Sequence, residues 1–351
     1  MSQIVLSIIV PIYNASKTLP RTLKSIDFNL CNEIEVILVN DGSTENIDKV
    51  VAPWLKSFPN CIQYVKKPNG NWLSAVDYGK LYAHGTFVKV LDADDTFISN
   101  QLKINIEFLK QIPKNVDLVL SSFAFLLEKK NKIIKRNFGK TTKIILTTFD
   151  RYKLSKSLTH HCLFFRLNFL KKILPLPENF RFGDNILIYK AILNSKQIAI
   201  LPKENILYLY HLGVNHQQTS FEQMKLHIND IERTLEAISS IKSNKVLSKN
   251  RSRLLRTIAR GMFFLPLLLL YKSKFYYAWQ RQFHIDKLVH DAKKIEINGL
   301  LRIVTRSEMN IIKNGNARII LLMCGIAFSI IQTGFIGVVK KSENSKPHPY
   351  Q

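Results

Sequence analysis

Three carboxylates close an apolar run at Val88-Lys89-Val90-Leu91-Asp92-Ala93-Asp94-Asp95. Asp92 and Asp94 stand two apart, so on a strand they share one face, and in a tight turn they converge on one small volume. Anionic groups gathered that closely repel one another unless a cation neutralises them. A divalent ion, Mg²⁺ or Mn²⁺, carrying a diphosphate suits such a place, because it takes oxygens from one or two carboxylates and the rest from phosphate. The plain alternative is a solvated acidic helix start, where Asp is favourable anyway. Two more polar clusters, Tyr13-Asn14 and Asp41-Gly42-Ser43, follow apolar runs in the same manner. Asp-Gly favours a turn with or without a ligand. Phe182-Gly183-Asp184-Asn185 opens a helical pattern, for which Asp184 could simply be the N-cap, with or without a further role.

The elements that must position these groups alternate along the chain. Strands are expected at 6–10 (stopped by Pro11), 35–39, 62–65, 87–91 and 117–121, with helices at 17–28, 46–58, 73–84 and 100–111. Strands alternating with helices of ten or more residues imply an α/β fold with a right-handed, mostly parallel sheet. In such sheets ligands bind beyond the carboxyl ends of the strands, where all three polar clusters fall. Residues 121–220 are less regular, with strands near 144–148, 198–201 and 207–210 and a helix near 186–194.

Ile9-Val10-Pro11-Ile12-Tyr13-Asn14, Val39-Asn40-Asp41-Gly42-Ser43-Thr44, Leu91-Asp92-Ala93-Asp94-Asp95 and Gly183-Asp184 come in the order and spacing of a known family. Over residues 1 to about 215 the chain resembles the family 2 glycosyltransferases of surface-polysaccharide type, which have a GT-A fold. The resemblance implies a nucleotide-sugar-binding half over 1–120 and an acceptor-binding half over 121–220. It implies that Pro11, Tyr13, Asn14, Asp41, Ser43, Asn69, Asp92 and Asp94 bind the nucleotide sugar, with the Asp41 carboxylate accepting from the base. Asp94, with Asp92, would hold Mn²⁺ or Mg²⁺, and Asp184 would be the general base of an inverting transfer. The family pattern at this last motif is Glu-Asp, and here Gly183 precedes the Asp. An alignment shifted by one would put Asp184 at the Glu and Asn185 at the base. The donor implied is a UDP-sugar, and the acceptor a saccharide or a lipid-linked one. Lys66 and Lys67, just before the Asn69-Gly70 turn, are read as phosphate contacts or as a solvated loop. His160-His161 are not read as a metal site, because no third ligand stands near and adjacent strand residues face opposite ways. His211 and His216 follow the 207–210 strand, where acceptor or diphosphate contacts lie in the family.

The 351 residues carry 51 Lys and Arg against 26 Asp and Glu, a formal net charge of +25 that calls for an anionic partner. Hydrophobic residues at 46% exclude disorder for most of the chain. No nucleic-acid partner is expected: the chain lacks a zinc-finger, helix-turn-helix or RNP-like pattern, and carboxylates at strand ends repel phosphate. A non-catalytic sugar-nucleotide-binding subunit is disfavoured by the intact Asp94 and Asp184. The scattered Cys31, Cys61, Cys162 and Cys324 form no C-x-x-C pair and are expected as free thiols in a reducing compartment. The first residues lack a charged and apolar leader, so a cytoplasmic location is expected.

Residues 221–341 are expected as a basic helical region and 342–351 as a disordered tail. From 221 onward the net charge is +13, against +12 for the longer stretch before it. Residues 242–260 hold seven basic residues and no acid, and 261–271 hold no charge. That pairing fits a helix in the interface of an anionic membrane, or a buried helix with a solvated flank. The uncharged run at 319–339 is long enough to span a bilayer, which takes about twenty residues, to lie in its interface, or to form a core helix. On the membrane readings of these segments, the inner face of the cell membrane is the expected location.

Overall fold

The computed structural model describes residues 4–139, 142–154, 158–175, 180–213, 227–241 and 246–272. It divides into two compact units, Met1–Lys153 with Leu158–Gln217, and Leu154–Ser157 with Gln218–Gln351.

The first unit is built on β1 (Leu6–Ile12), β2 (Ile34–Asp41), β3 (Ile62–Lys67) and β4 (Phe87–Val90). These four run parallel in the order β3-β2-β1-β4. Every residue of β1 is buried, as a strand covered on both faces by helices requires. The strand continues through Pro11 instead of stopping there. The reason lies in the register: Leu91 N bonds Ile9 O, so the groups of Ile9 and Pro11 face β4. Because β4 ends at Val90, opposite Ile9, the missing N–H of Pro11 deprives no strand of a partner. The intervening helices are α1 (Leu19–Lys24), α2 (Ile47–Ser57), α3 (Asn71–Gly79) and α4 (Gln101–Lys110). α2 is capped by Asn46, whose side chain accepts from Lys49 N at 3.1 Å.

After the short β5 (Thr96–Phe97) the sheet extends beyond β4 through β6 (Leu118–Leu120), β9 (Ile145–Thr147), β10 (Leu163–Arg166) and β11 (Ile198–Ile200). The full order is β3-β2-β1-β4-β10-β6-β11-β9, with β10 antiparallel to both neighbours. A second sheet of order β5-β12-β7-β8 adds β7 (Ser122–Leu127), β8 (Lys132–Arg136) and β12 (Ile206–Leu212). Two helices complete the unit, α5 (Leu167–Ile173) and α6 (Gly183–Asn194). The second sheet, β10 and α5 were not expected from the local pattern. Cys31 and Cys61 are paired as a disulfide, with Cα atoms 5.3 Å apart, and only Cys162 is a free thiol among the described residues. The expectation of free thiols at 31 and 61 is corrected accordingly.

The described part of the second unit is a helical pair, α7 (Ile228–Ser240) and α8 (Lys249–Lys272). Ile231, Leu235 and Ile238 recur at helical spacing on α7 and are buried, as are Leu254, Leu255 and Ile258 on α8, and the two helices pack together. α8 joins residues 249–260 of the basic stretch to the uncharged one in a single helix. No helix among the described residues is long and apolar enough to cross a membrane. The segment 319–339, the tail from 342 and His216 lie outside the described residues.

Candidate active site

The acidic stretch divides into one inward carboxylate and two outward ones. After β4 the chain turns, with Asp95 N bonded to Asp92 O at 3.0 Å. Thr22 Oγ1 donates to Ala93 O at 2.9 Å and Arg21 Nη2 to Asp94 O at 2.7 Å, so α1 holds the turn by its carbonyls. Asp95 is fully buried, and its oxygens accept from Tyr208 Oη at 2.7 Å and His211 N at 2.8 Å. Burial, with the charges of Asp94 and Asp92, pushes its carboxyl well above the usual range. Asp95 is thus an anchor tying the turn to β12. His211 serves the same framework, facing Thr96 Oγ1 at 2.8 Å and Glu128 at 2.7 Å. Asp94 stays half-buried at the surface of the turn.

Asp92 is gripped on both oxygens. Trp72 Nε1, from α3, donates to Oδ1 at 2.7 Å, and His160 Nε2 lies 3.0 Å from Oδ2. His161 Nε2 lies 3.7 Å from the same Oδ2. His160 and His161 sit on a short 3₁₀ turn, His160–Cys162, where successive side chains do not alternate between faces as they do on a strand. Both rings therefore reach Asp92, and the three groups offer ligand atoms within 4.8 Å of one another. That corrects the reading that set these histidines aside. Lys89 makes the turn possible: buried in β4, its Nζ donates to His161 O and Leu163 O. Burial lowers the Lys89 ammonium to about 7.

The two adjacent histidines are driven to opposite charge states. Burial works against charge on His160, but Asp92, seconded by Asp184, raises it to about 9. Burial and the charge of His160 lower His161 to about 4. Asp92 is held well below the carboxylate range: burial opposes its charge, and His160 and His161 overcome that. His160 Nδ1 and His161 Nε2 are buried without a hydrogen-bond partner among the described residues.

Asp184 faces the same cluster from the other side. It is the second residue of α6, its Oδ2 lies 3.9 Å from His160 Nδ1, and its side chain is 31% exposed. It makes no capping bond, so the reading of Asp184 as merely a helix cap is not borne out. Gly183 has a packing cause. A Cβ there would lie 2.7 Å from Leu73 Cβ, so a Glu at this position would collide with α3.

The remaining expected residues line the ends of β1, β2 and β3. Tyr13 presents an exposed ring, 51% accessible, beyond β1. Asn14 adopts a left-handed φ of 49°, which Asn tolerates. Its Oδ1 accepts from Thr44 N at 2.8 Å and Glu45 N at 3.3 Å, while its N–H donates to Ser43 Oγ at 3.1 Å. Asn14 and Ser43 thereby stitch the loop after β1 to the loop after β2. The Asp41 side chain is only 3% exposed and accepts from Lys67 Nζ at 2.7 Å, Gly70 N at 3.0 Å and Asn69 Nδ2 at 3.3 Å. Gly42 takes φ +68° with Asn69 N 2.6 Å from where a Cβ would stand, so only glycine fits the turn. A cleft of about 460 Å³ opens here, lined by Asn40, Gly42, Ser43, Asp48, Lys66 and Lys67 among others. Lys66 pairs with Asp48, and Lys67 with Asp41, so both lysines have carboxylate partners. Pro11 lies within β1, with its neighbours Val10 and Ile12 fully buried.

Comparison with known proteins gives concordant matches. The family model for Glycosyl transferase family 2 matches residues 7–174. "Uncharacterized glycosyltransferase MG025" of Mycoplasma genitalium is 30% identical over 231 residues, 63% of this chain and 73% of that protein. Its Mycoplasma pneumoniae homolog is 32% identical over 53% of this chain and 61% of that protein. "Minor teichoic acid biosynthesis protein GgaB" of Bacillus subtilis is 28% identical over 62% of this chain but only 24% of its own length. The chain thus spans less than two thirds of the second and third of these relatives' own lengths. Among solved structures, S. aureus TarS 1-349 in complex with UDP-GlcNAc superposes with a TM-score of 0.67 at 17% identity, covering 95% of this chain and 92% of that one. The mannosyltransferase PcManGT of Pyrobaculum calidifontis, in complex with GDP-Man and Mn²⁺, gives 0.53 at 12% identity, covering 97% and 88%. At these identities the likeness is one of fold.

Proposed function

The chain belongs to glycosyl transferase family 2 and is a glycosyltransferase, and from that premise we propose an inverting transfer from a UDP-sugar in which Asp184 is the base. The acceptor proposed is a hydroxyl of a saccharide or lipid-linked saccharide. The observation that carries the reading is the convergence of Asp92 and Asp184 on one buried imidazole, at 3.0 and 3.9 Å. A donor-side and an acceptor-side carboxylate on either side of one imidazole suit a site that must hold donor and acceptor together.

The exposed ring of Tyr13 offers a stacking face for the base, and Asp41 keeps acceptor capacity on Oδ2, where Asn69 at 3.3 Å is its one partner among the described residues. Asn14, Ser43 and Asn69 hold the two loops around that place. Asp184 would take the acceptor's proton as its oxygen attacks the anomeric carbon opposite the departing diphosphate, which inverts the configuration. UDP-GlcNAc and GDP-Man in the superposed structures support a nucleotide-sugar donor.

The residues present fit a divalent cation. Asp92 offers oxygen, half-buried Asp94 stands beside it, and His161 offers an unpartnered, neutral Nε2 near Asp92 Oδ2. Mixed oxygen and imidazole donors suit Mn²⁺ better than Mg²⁺. When bound, such an ion neutralises charge on the leaving diphosphate. The basic excess supports an anionic acceptor or membrane surface, and the likeness to GgaB supports a phosphate-bearing polymer such as teichoic acid.

Thermal shift with a panel of nucleotide sugars, with and without Mn²⁺, tests the reading. A UDP-sugar plus Mn²⁺ is expected to raise the melting temperature above either alone. A panel in which no nucleotide shifts it would overturn the donor assignment.

A further inference from the structure

Asp184 is left without the acidic neighbour that usually accompanies such a base, because Leu73 fills the space a side chain at 183 would need. Its Oδ1 accepts from the adjacent Asn185 Nδ2 at 3.0 Å. Its Oδ2 looks at His160 Nδ1, 3.9 Å away. That nitrogen is buried and bonds to nothing among the described residues, in a side chain only 6% exposed.

The imidazole is held from every other direction. Nε2 is bonded to Asp92 Oδ2 at 3.0 Å, and Asp92 is itself pinned by Trp72. The ring lies between the Trp72 indole, 4.8 Å away by centroids, and the His161 ring at 3.9 Å. It cannot turn without breaking the bond to Asp92. Asp184, by contrast, is part-exposed on the first turn of a helix, and only Asn185 bonds its carboxylate among the described residues.

We propose that His160 is a positioning residue that spans the two carboxylates, its Nε2–H donating to Asp92 and its Nδ1–H donating to Oδ2 of Asp184, so that the group beside the donor aims the group that takes the acceptor's proton. No proton passes through the imidazole. It fixes the Asp184 carboxylate so that Oδ1 meets the acceptor hydroxyl. A base displaced by about an ångström loses on the order of 10²-fold in rate, so the bridge has a measurable consequence.

The proposal rests on Asp184 as the base, and the test separates the two. A glutamine amide reaches where Nε2 stands and an asparagine amide where Nδ1 stands. In the full-length protein with Mn²⁺, His160→Gln keeps the link to Asp92 and loses the one to Asp184. UDP affinity by calorimetry is expected to hold while UDP release from UDP-GlcNAc, with water as acceptor, falls by about 10²-fold. His160→Asn is expected to recover rate at saturating donor and to weaken UDP binding. In an Asp184→Asn background, His160→Gln should cause no further loss, because it acts through that carboxylate. Losses that multiply, or a His160→Gln rate equal to wild type while Asp184→Asn is impaired, would overturn the bridge. An unimpaired Asp184→Asn would instead overturn the base. A readout independent of turnover is the imidazole spectrum of [¹⁵N]histidine-labelled protein without donor. Asp184→Asn is expected to shift the Nδ1 resonance that His160→Gln removes, and an unmoved resonance refutes the bridge outright.

Discussion

Replacing Asp41 by Ala removes a carboxylate that is almost wholly enclosed and accepts three hydrogen bonds. Lys67, itself only 13% exposed on its side chain, would lose its partner and keep its charge. Breaking a buried ion pair from one side costs about 3–5 kcal/mol, because the remaining ion stays desolvated. Lys67 Nζ also donates to Pro68 O, which retains part of its solvation and argues for the lower end, about 3 kcal/mol. For a unit the size of the one that holds Asp41, Met1–Lys153 with Leu158–Gln217, that corresponds to a fall of about 6–12 °C in melting temperature. If Asp41 also accepts from the base, UDP affinity measured by calorimetry well below that melting point should fall by a further 1.5–3 kcal/mol or so, the scale of a charged hydrogen bond. Asp41→Ala/Lys67→Met removes both charges, so it should regain most of the stability and none of the affinity. A single variant as stable as wild type would refute the buried-pair reasoning, and a double variant that binds UDP normally would refute the nucleotide role.

Gly183→Ala should destabilise by about 1–3 kcal/mol through overpacking against Leu73, and Gly183→Glu should reduce rather than improve turnover, checked by thermal melts and UDP release. His160 should contribute a loss of stability between pH 6.5 and about 9 in the metal-free protein, opposed from about pH 7 upward by Lys89, whose lowered ammonium favours the folded state as pH rises. The raised pKa of His160 makes its contribution complete below the unfolded value of 6.5 and lost as pH rises through about 9, on the order of 3 kcal/mol in total. The stability difference between wild type and His160→Gln in urea titrations should therefore shrink as pH rises from 6.5 to about 9, and a difference that does not vary with pH would assign the effect to other groups. A truncation ending near Asn314 should move the protein from membrane to soluble fractions at moderate salt. Full-length protein that is wholly soluble at low salt would contradict the membrane reading.

The parts of the fold legible in the sequence were those whose evidence is local. β1, β2 and β4 announce themselves as apolar runs ending in turn residues, and their motifs fall at the strand ends where a parallel sheet binds ligands. Long-range pairing was not legible. β12 joins β7 and β5 across most of the unit, and the Cys31–Cys61 pair spans thirty residues. His160 and His161 were misread because the local pattern suggested a strand, whereas a 3₁₀ turn held by Lys89 brings both to Asp92. A lysine inside an otherwise apolar strand was the one available signal, since a buried ammonium must find carbonyls to bond. Gly183 could be seen as a departure in sequence, but its cause, the Cβ of Leu73, belongs to packing between α3 and α6.

The central claim is that Asp184 removes the acceptor's proton, and the most direct measurement compares Asp184→Asn with Asn185→Ala in one transfer assay at saturating donor. Asn keeps the size of Asp184 and leaves Gly183 and Leu73 undisturbed, so the melting temperature and UDP affinity should hold. Transfer should fall by about 10²–10⁴-fold in Asp184→Asn, the usual contribution of a general base, and only slightly in Asn185→Ala. Transfer abolished by Asn185→Ala and preserved in Asp184→Asn would contradict the account.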